Sequence, residues 1–161
     1  YTHFVVDQNQ AKINIDSSTF LAVNIPIDQV RYYLSNLVDD HSYKSSMNST
    51  FHETYTHFLK PEFKFQYPPT AAAYQAFSFS AASLQYFVGT HFFISPNGLP
   101  ADGDYRYYLA PHLNGDRGMV IYDAEKVAEY DKLKFQLHEL TADAQRRFAE
   151  WVEHLKSLGH V

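Results

Sequence analysis

The chain contains no cysteine, which removes disulfides, thiolate metal sites and cysteine nucleophiles together. Any transition-metal site must then be built from nitrogen and oxygen ligands. Long apolar runs are missing too: no stretch reaches the roughly 18 residues that a membrane-crossing helix needs, and no basic leader followed by an apolar segment is present. Cations are scarce, with 13 Lys and Arg against 18 Asp and Glu and a formal net charge of -5. Binding to phosphate backbones needs clustered cations, so a nucleic-acid partner is not expected. Neither a glycine-rich phosphate loop nor a Gly-x-Ser-x-Gly elbow occurs.

What the chain does have is ring area. Aromatic residues make up 17% of 161 residues while charged residues make up only 19%, which excludes disorder and suits one folded unit with a sizeable core. The first residue is Tyr1 rather than Met. Together with the acidic, cysteine-free composition, this suggests the soluble part of an exported or membrane-anchored protein, periplasmic or extracellular in preference to cytoplasmic.

Charge is unevenly spread. From Phe65 to Ala101 there are 37 residues without a single Asp, Glu, Lys or Arg, whereas Asp123 to Lys156 carries 14 charges. Solvated faces need charge, so the central tract is expected to be a buried sheet or a contact surface, and the C-terminal third a solvent-facing layer. Ser78, Ser80, Ser83, Gln75 and Gln85 interrupt the tract too often for a membrane span.

Periodicity gives an α+β fold in a single domain, a mostly antiparallel sheet packed by helices at 28–40, 50–60 and 142–158. Asp28 is the expected cap of the first helix, whose apolar face is Val30, Tyr33, Leu34, Leu37 and Val38. Thr50 and Glu53 have the spacing of a capping box for the second. Thr141 and Gly159 bracket the third, with Phe148, Trp151, Val152 and Leu155 as its buried stripe. Strands are expected at 12–25, 84–94, 104–109, 119–122 and 132–140, turns at 95–98 and 114–118, an Ala-rich helix from Ala71 and a short helix at 124–130. This order of elements is also compatible with helix-grip or cone-shaped ligand-binding folds.

Three sets of residues are candidates for function. His52, Glu53 and His57 come nearest to a metal motif, but two histidines five apart on a regular helix point roughly 140° from each other. Glu53 and His57 share a face; with His52, or with His41 or His91 from elsewhere, they form the alternative of a divalent-metal enzyme, and otherwise a surface ion pair. His91, amid uncharged residues, is the candidate general base of a metal-free enzyme, or else a core histidine bonded to a carbonyl. Tyr86, His91, Phe93, Tyr105 and Tyr107 are the candidate binding surface, since rings with polar tips anchor partners at low entropic cost. Asp102, Asp104, Asn114 and Asp116 lack calcium-loop spacing and read as turn formers, and Asp39-Asp40-His41 reads as a solvated helix end. The leading expectation is a non-catalytic binding or assembly domain that contacts a protein partner or an apolar small molecule through an aromatic surface, with self-association among the options and no cofactor.

Overall fold

A computed structural model of the chain describes residues 2–94, 100–113 and 122–161, with side chains from residue 6 onward. The elements run α1 (Thr2–Leu21), α2 (Ile27–Asp39), β1 (Ser42–Lys44), α3 (Ser45–Thr56), 3-10 turns at His57–Leu59 and Pro61–Phe63, α4 (Pro68–His91), β2 (Phe92–Ile94), β3 (Arg106–Leu109), a 3-10 turn at Pro111–Leu113, and α5 (Ala124–Ser157). The class is α+β, with the proportions weighted toward helix. The sheet is antiparallel and small, in the order β1-β3-β2, pairing Tyr43 with Tyr107 and Phe93 with Tyr108.

Three segments expected as strands are helical. Residues 12–21 belong to α1, where Asp16 and Phe20, one turn apart, are the buried positions. The β-branched residues that suggested a strand lower helix propensity only slightly, and packing overrides them. Residues 84–91 continue α4, because Phe77, Ala81, Leu84 and Val88 recur at helical spacing on its buried face. Within this helix Ser78 and Ser80 are both buried with hydroxyl partners: Ser78 donates to the Tyr55 carbonyl at 2.8 Å, and Ser80 to Asp143. Residues 124–157 are one helix of 34 residues rather than helix, strand and helix, with Tyr130, Leu137, Thr141, Ala144 and Phe148 buried along it. The turns expected at 95–98 and 114–118 and the strand at 119–122 fall wholly or mostly outside the described residues.

The caps explain the boundaries. Asp123 accepts from the Glu125 and Lys126 amides at 3.0 and 3.2 Å and starts α5, while Thr141 lies buried inside it. Thr50 is likewise interior to α3, its hydroxyl donating to the Ser46 carbonyl at 3.2 Å; Asp104 reaches across from the sheet to accept from the Ser46 amide at 2.9 Å and its hydroxyl at 2.7 Å. Asp28 sits in the first turn of α2, after Pro26. Gly159 ends α5 as expected, at φ +74°. Its amide donates to the Lys156 carbonyl at 3.0 Å and the His160 amide to the Leu155 carbonyl at 2.9 Å, the paired bonds of a Schellman end.

The core is centred on Trp151, which is fully buried. Phe77 of α4 stacks on it at 5.7 Å and 9°, and Tyr74 meets it edge-on at 4.9 Å. Phe20 of α1, Phe58 of the 3-10 turn, Phe65 of the following loop and Phe148 of α5 complete the nest at 6.0–6.3 Å. Asp16, also fully buried, accepts from the Gln66 and Tyr67 amides at 2.6 and 2.8 Å, fixing the loop that leads into α4. Helices α4 and α5 run antiparallel: Thr70 bonds His154 at 2.7 Å at one end, and Ser80 meets Asp143 further along.

Trp151→Ala removes the shared neighbour of these rings and is expected to cost about 3–5 kcal/mol, read from the urea midpoint with an unchanged slope. A second expectation concerns pH. Burial lowers the His154 and His160 pKa values below the ordinary 6.5, so the fold favours their neutral forms and the unfolded chain binds more protons. Their contribution is complete above 6.5 and is lost as pH falls through 6.5 toward the depressed folded values. Denaturation between pH 7.5 and 5.5 should therefore show a fall in stability that is smaller in a His154→Gln, His160→Gln variant.

Candidate functional site

The charge-free tract becomes α4, and a helix has two sides. Its buried side is fastened by uncharged polar groups. The Tyr74 hydroxyl donates to the Thr54 carbonyl at 2.8 Å and accepts from the Phe58 amide at 3.2 Å. The Gln85 amide donates to Tyr33 and to Asn48, both at 2.8 Å, and the Tyr33 hydroxyl donates to Asn48 at 2.6 Å. Desolvation raises the Tyr33 pKa, and burial with the neighbouring Tyr107 pushes Tyr43 of β1 up to about 12; both phenols stay neutral.

The other side is bare. Phe79 is 78% exposed and Tyr86 81%, and the residues that share their stripe, Ala72, Gln75, Ala82 and Gly89, are exposed as well. Beside the stripe a groove of about 530 Å³ opens between α4 and α5, lined by Ser83, Tyr86, Phe87, Thr90 and His91 on α4 and by Gln136, Glu139, Leu140 and Asp143 on α5. Asp143 is held below the ordinary carboxylate value of 3.8, first by the Ser80 hydroxyl and then by the Arg146 guanidinium 2.7 Å away. One wall of the groove is thus rings and small residues without charge, and the other carries a fixed negative charge.

The expected binding surface divides. Tyr86 and His91 stand in this groove, His91 half-buried with its ring 4.6 Å from Phe87. Tyr107 stacks on Tyr43 at 5.2 Å and 7° and so packs against the core side of the sheet. Tyr105 precedes β3, its carbonyl accepting from the Ser45 amide at 2.8 Å. Phe93 lies on the opposite sheet face, exposed and edge-on to His112.

The expected metal set does not converge. His52 is exposed, with Nδ1 3.0 Å from the Tyr55 hydroxyl. His57 is buried, stacked on Phe63 at 4.5 Å, with Nδ1 3.4 Å from Glu53 Oε1. Among the described residues no group of three or more His, Asp and Glu side chains is placed to hold a metal ion. Glu53 and His57 remain a hydrogen-bonded pair on the rim of a pocket of about 340 Å³ with Val23–Pro26, Ser49 and Thr50. The hydrogen bond from His57, followed by Lys60, lowers the exposed Glu53 carboxyl below its ordinary value.

One cluster was invisible in the sequence. His41, expected on a solvated helix end, sits half-buried at φ +49° with its Nε2 3.0 Å from His138 Nε2 and its Nδ1 3.3 Å from the Tyr130 hydroxyl. The two histidines are 97 residues apart, so only the docking of α5 against α2 reveals them.

Comparison of the chain with known protein families, with curated proteins and with solved structures finds no match. No helix among the described residues is long and apolar enough to cross a membrane.

Ser80 holds the charged wall in place, which sets a test. Ser80→Ala should cost about 1–2 kcal/mol at pH 7. Because the Asp143 pKa is depressed in the fold, its contribution is present above 3.8 and is lost as pH falls through the lower folded value. The difference between variant and parent, measured by denaturation, should shrink as pH falls through that range.

Proposed function

We propose that this chain is a non-catalytic binding or assembly domain whose contact surface is the outward face of α4 and the groove beside it. The observation that carries this reading is the pair Phe79 and Tyr86, 78% and 81% exposed on a 24-residue helix with no charged residue. Exposed rings are costly to leave in water, and contiguous apolar patches on soluble domains mark interaction sites. Other rings are exposed too, such as Tyr122 at 76% and Phe135 at 65%, but those two lie in the charge-rich C-terminal third, whereas Phe79 and Tyr86 share one charge-free helix. Charge is abundant elsewhere, so its absence along this face is local. Partner-binding surfaces are depleted in charge at their centre and enriched in Tyr and Phe.

An enzymatic reading has less behind it. The contact found for the His91 ring is with Phe87, and a general base needs a group that fixes its tautomer and orientation. The Glu53–His57 pair has such a partner, but among the described residues no group of three His, Asp or Glu side chains gathers around it to hold a metal ion.

The probe for the surface is anilinonaphthalene sulfonate, whose fluorescence rises on apolar protein surfaces. At low protein concentration the folded chain should enhance the dye, and Phe79→Lys with Tyr86→Lys should abolish most of that enhancement while the far-ultraviolet circular dichroism stays unchanged. Retention of the full signal by the double variant, or no signal from the parent chain, overturns the assignment.

A further inference from the structure

The outward face of α4 has a pattern of its own. Ala72, Gln75, Phe79, Ala82, Tyr86 and Gly89 are separated by three, four, three, four and three residues and are all exposed. That is the spacing of a helix–helix seam, in which alternate three- and four-residue steps keep one narrow stripe turned to a partner helix. Within the stripe, large and small residues alternate: Phe79, Ala82, Tyr86, Gly89.

Gly89 gives this pattern its meaning. It lies in the last turns of α4 in ordinary helical geometry, and a Cβ added there would meet nothing within 4 Å. Neither a positive φ nor a close internal neighbour calls for glycine, although glycine is the worst helix former after proline. A hole on an exposed seam serves something that approaches from outside the chain.

Resting on the reading of this face as a binding surface, we infer that its occupant is a second copy of the same chain, with the two α4 helices antiparallel about a two-fold axis at the level of Leu84. A two-fold axis there pairs positions whose numbers lie equally far on either side. Phe79 then faces Gly89 of the other copy, and Tyr86 faces the other copy's Ala82. All four rings of the dimer enter holes made by small residues, and the uncharged seam brings no like charges together. Self-complementarity of one patch is what a two-fold interface requires. At about 150–250 Å² per ring, four rings at the exposures seen bury roughly 600 Å². The small and polar positions beside them bring the total to about 1,000 Å², the lower limit for a specific interface. Association is therefore reversible and concentration-dependent.

Sedimentation equilibrium from low-micromolar to near-millimolar protein tests this. The parent chain should show a monomer–dimer equilibrium. Gly89→Gln fills the hole and should weaken dimerisation about tenfold or more, while raising the melting temperature of the dilute monomer, because it replaces glycine inside a helix. For the register, the absence of native cysteine permits single-cysteine probes. Ala82→Cys and Tyr86→Cys chains, mixed and oxidised, should give a mixed disulfide dimer that neither gives alone, with the other ring-in-hole pair of that dimer left intact. A chain that stays monomeric throughout, or a dimer indifferent to Gly89→Gln, overturns the inference; failure of the mixed disulfide in a Gly89-sensitive dimer overturns the antiparallel register. If the chain is monomeric yet enhances the dye through Phe79 and Tyr86, the binding surface stands and only the identity of its occupant falls. If it is monomeric and gives no dye signal, both fall.

Discussion

The packing of rings around Trp151 determines how the remaining parts of the molecule are oriented. Six aromatic side chains from α1, the turn after α3, the loop before α4, α4 itself and α5 meet a single indole. Flat rings at stacked and edge-on distances admit few alternative arrangements, so the nest sets the rotation of α4 about its own axis. Once Tyr74 and Phe77 face Trp151, the three- and four-residue steps of the helix turn Ala81, Leu84 and Val88 inward. The same rotation leaves Phe79 and Tyr86 outside. Burial and exposure on this helix are two results of one constraint.

Hydrogen bonding within this core is done largely without charge. Tyr33, Asn48 and Gln85 form a closed network, and Tyr74 and Ser78 bond the last carbonyls of α3. Uncharged groups need less compensation when desolvated than ions do, which accounts for a long tract that avoids Asp, Glu, Lys and Arg yet contains serine, glutamine and threonine. Asp16 is the exception, and two backbone amides satisfy it.

Much of the helical framework was legible in the residues. The apolar stripe of α2, the buried stripe of Phe148, Trp151, Val152 and Leu155, and the terminating Gly159 all follow from spacing, and the structure has them. The charge-free tract also pointed to the element that carries the proposed contact face, although as a sheet. What could not be read was of two kinds. In α1 and in the second half of α4, β-branched and aromatic residues satisfied a two-residue period as well as a helical one, and only the partners of Asp16, Ser78 and Ser80 decide between them. Other features depend on residues far apart in the chain: the His41–His138 pair, the reach of Asp104 to the start of α3, and the placement of Tyr107 against Tyr43. Of the expected surface residues, Tyr86 and His91 fall together in one groove because both lie on α4, while Phe93 and Tyr107 belong to the small sheet and Tyr105 precedes its last strand.

Helix α5 follows every other element in the chain, and Trp151 lies near its end. During vectorial synthesis the first four helices emerge with no indole to close upon, so Phe20, Phe58, Tyr74 and Phe77 have no final seat until the last turns of α5 arrive. Such a topology leaves these rings without their shared partner in any nascent chain that has not yet passed Trp151. Closure of the core therefore waits on α5, and the rings made before it are the surface a chaperone would cover.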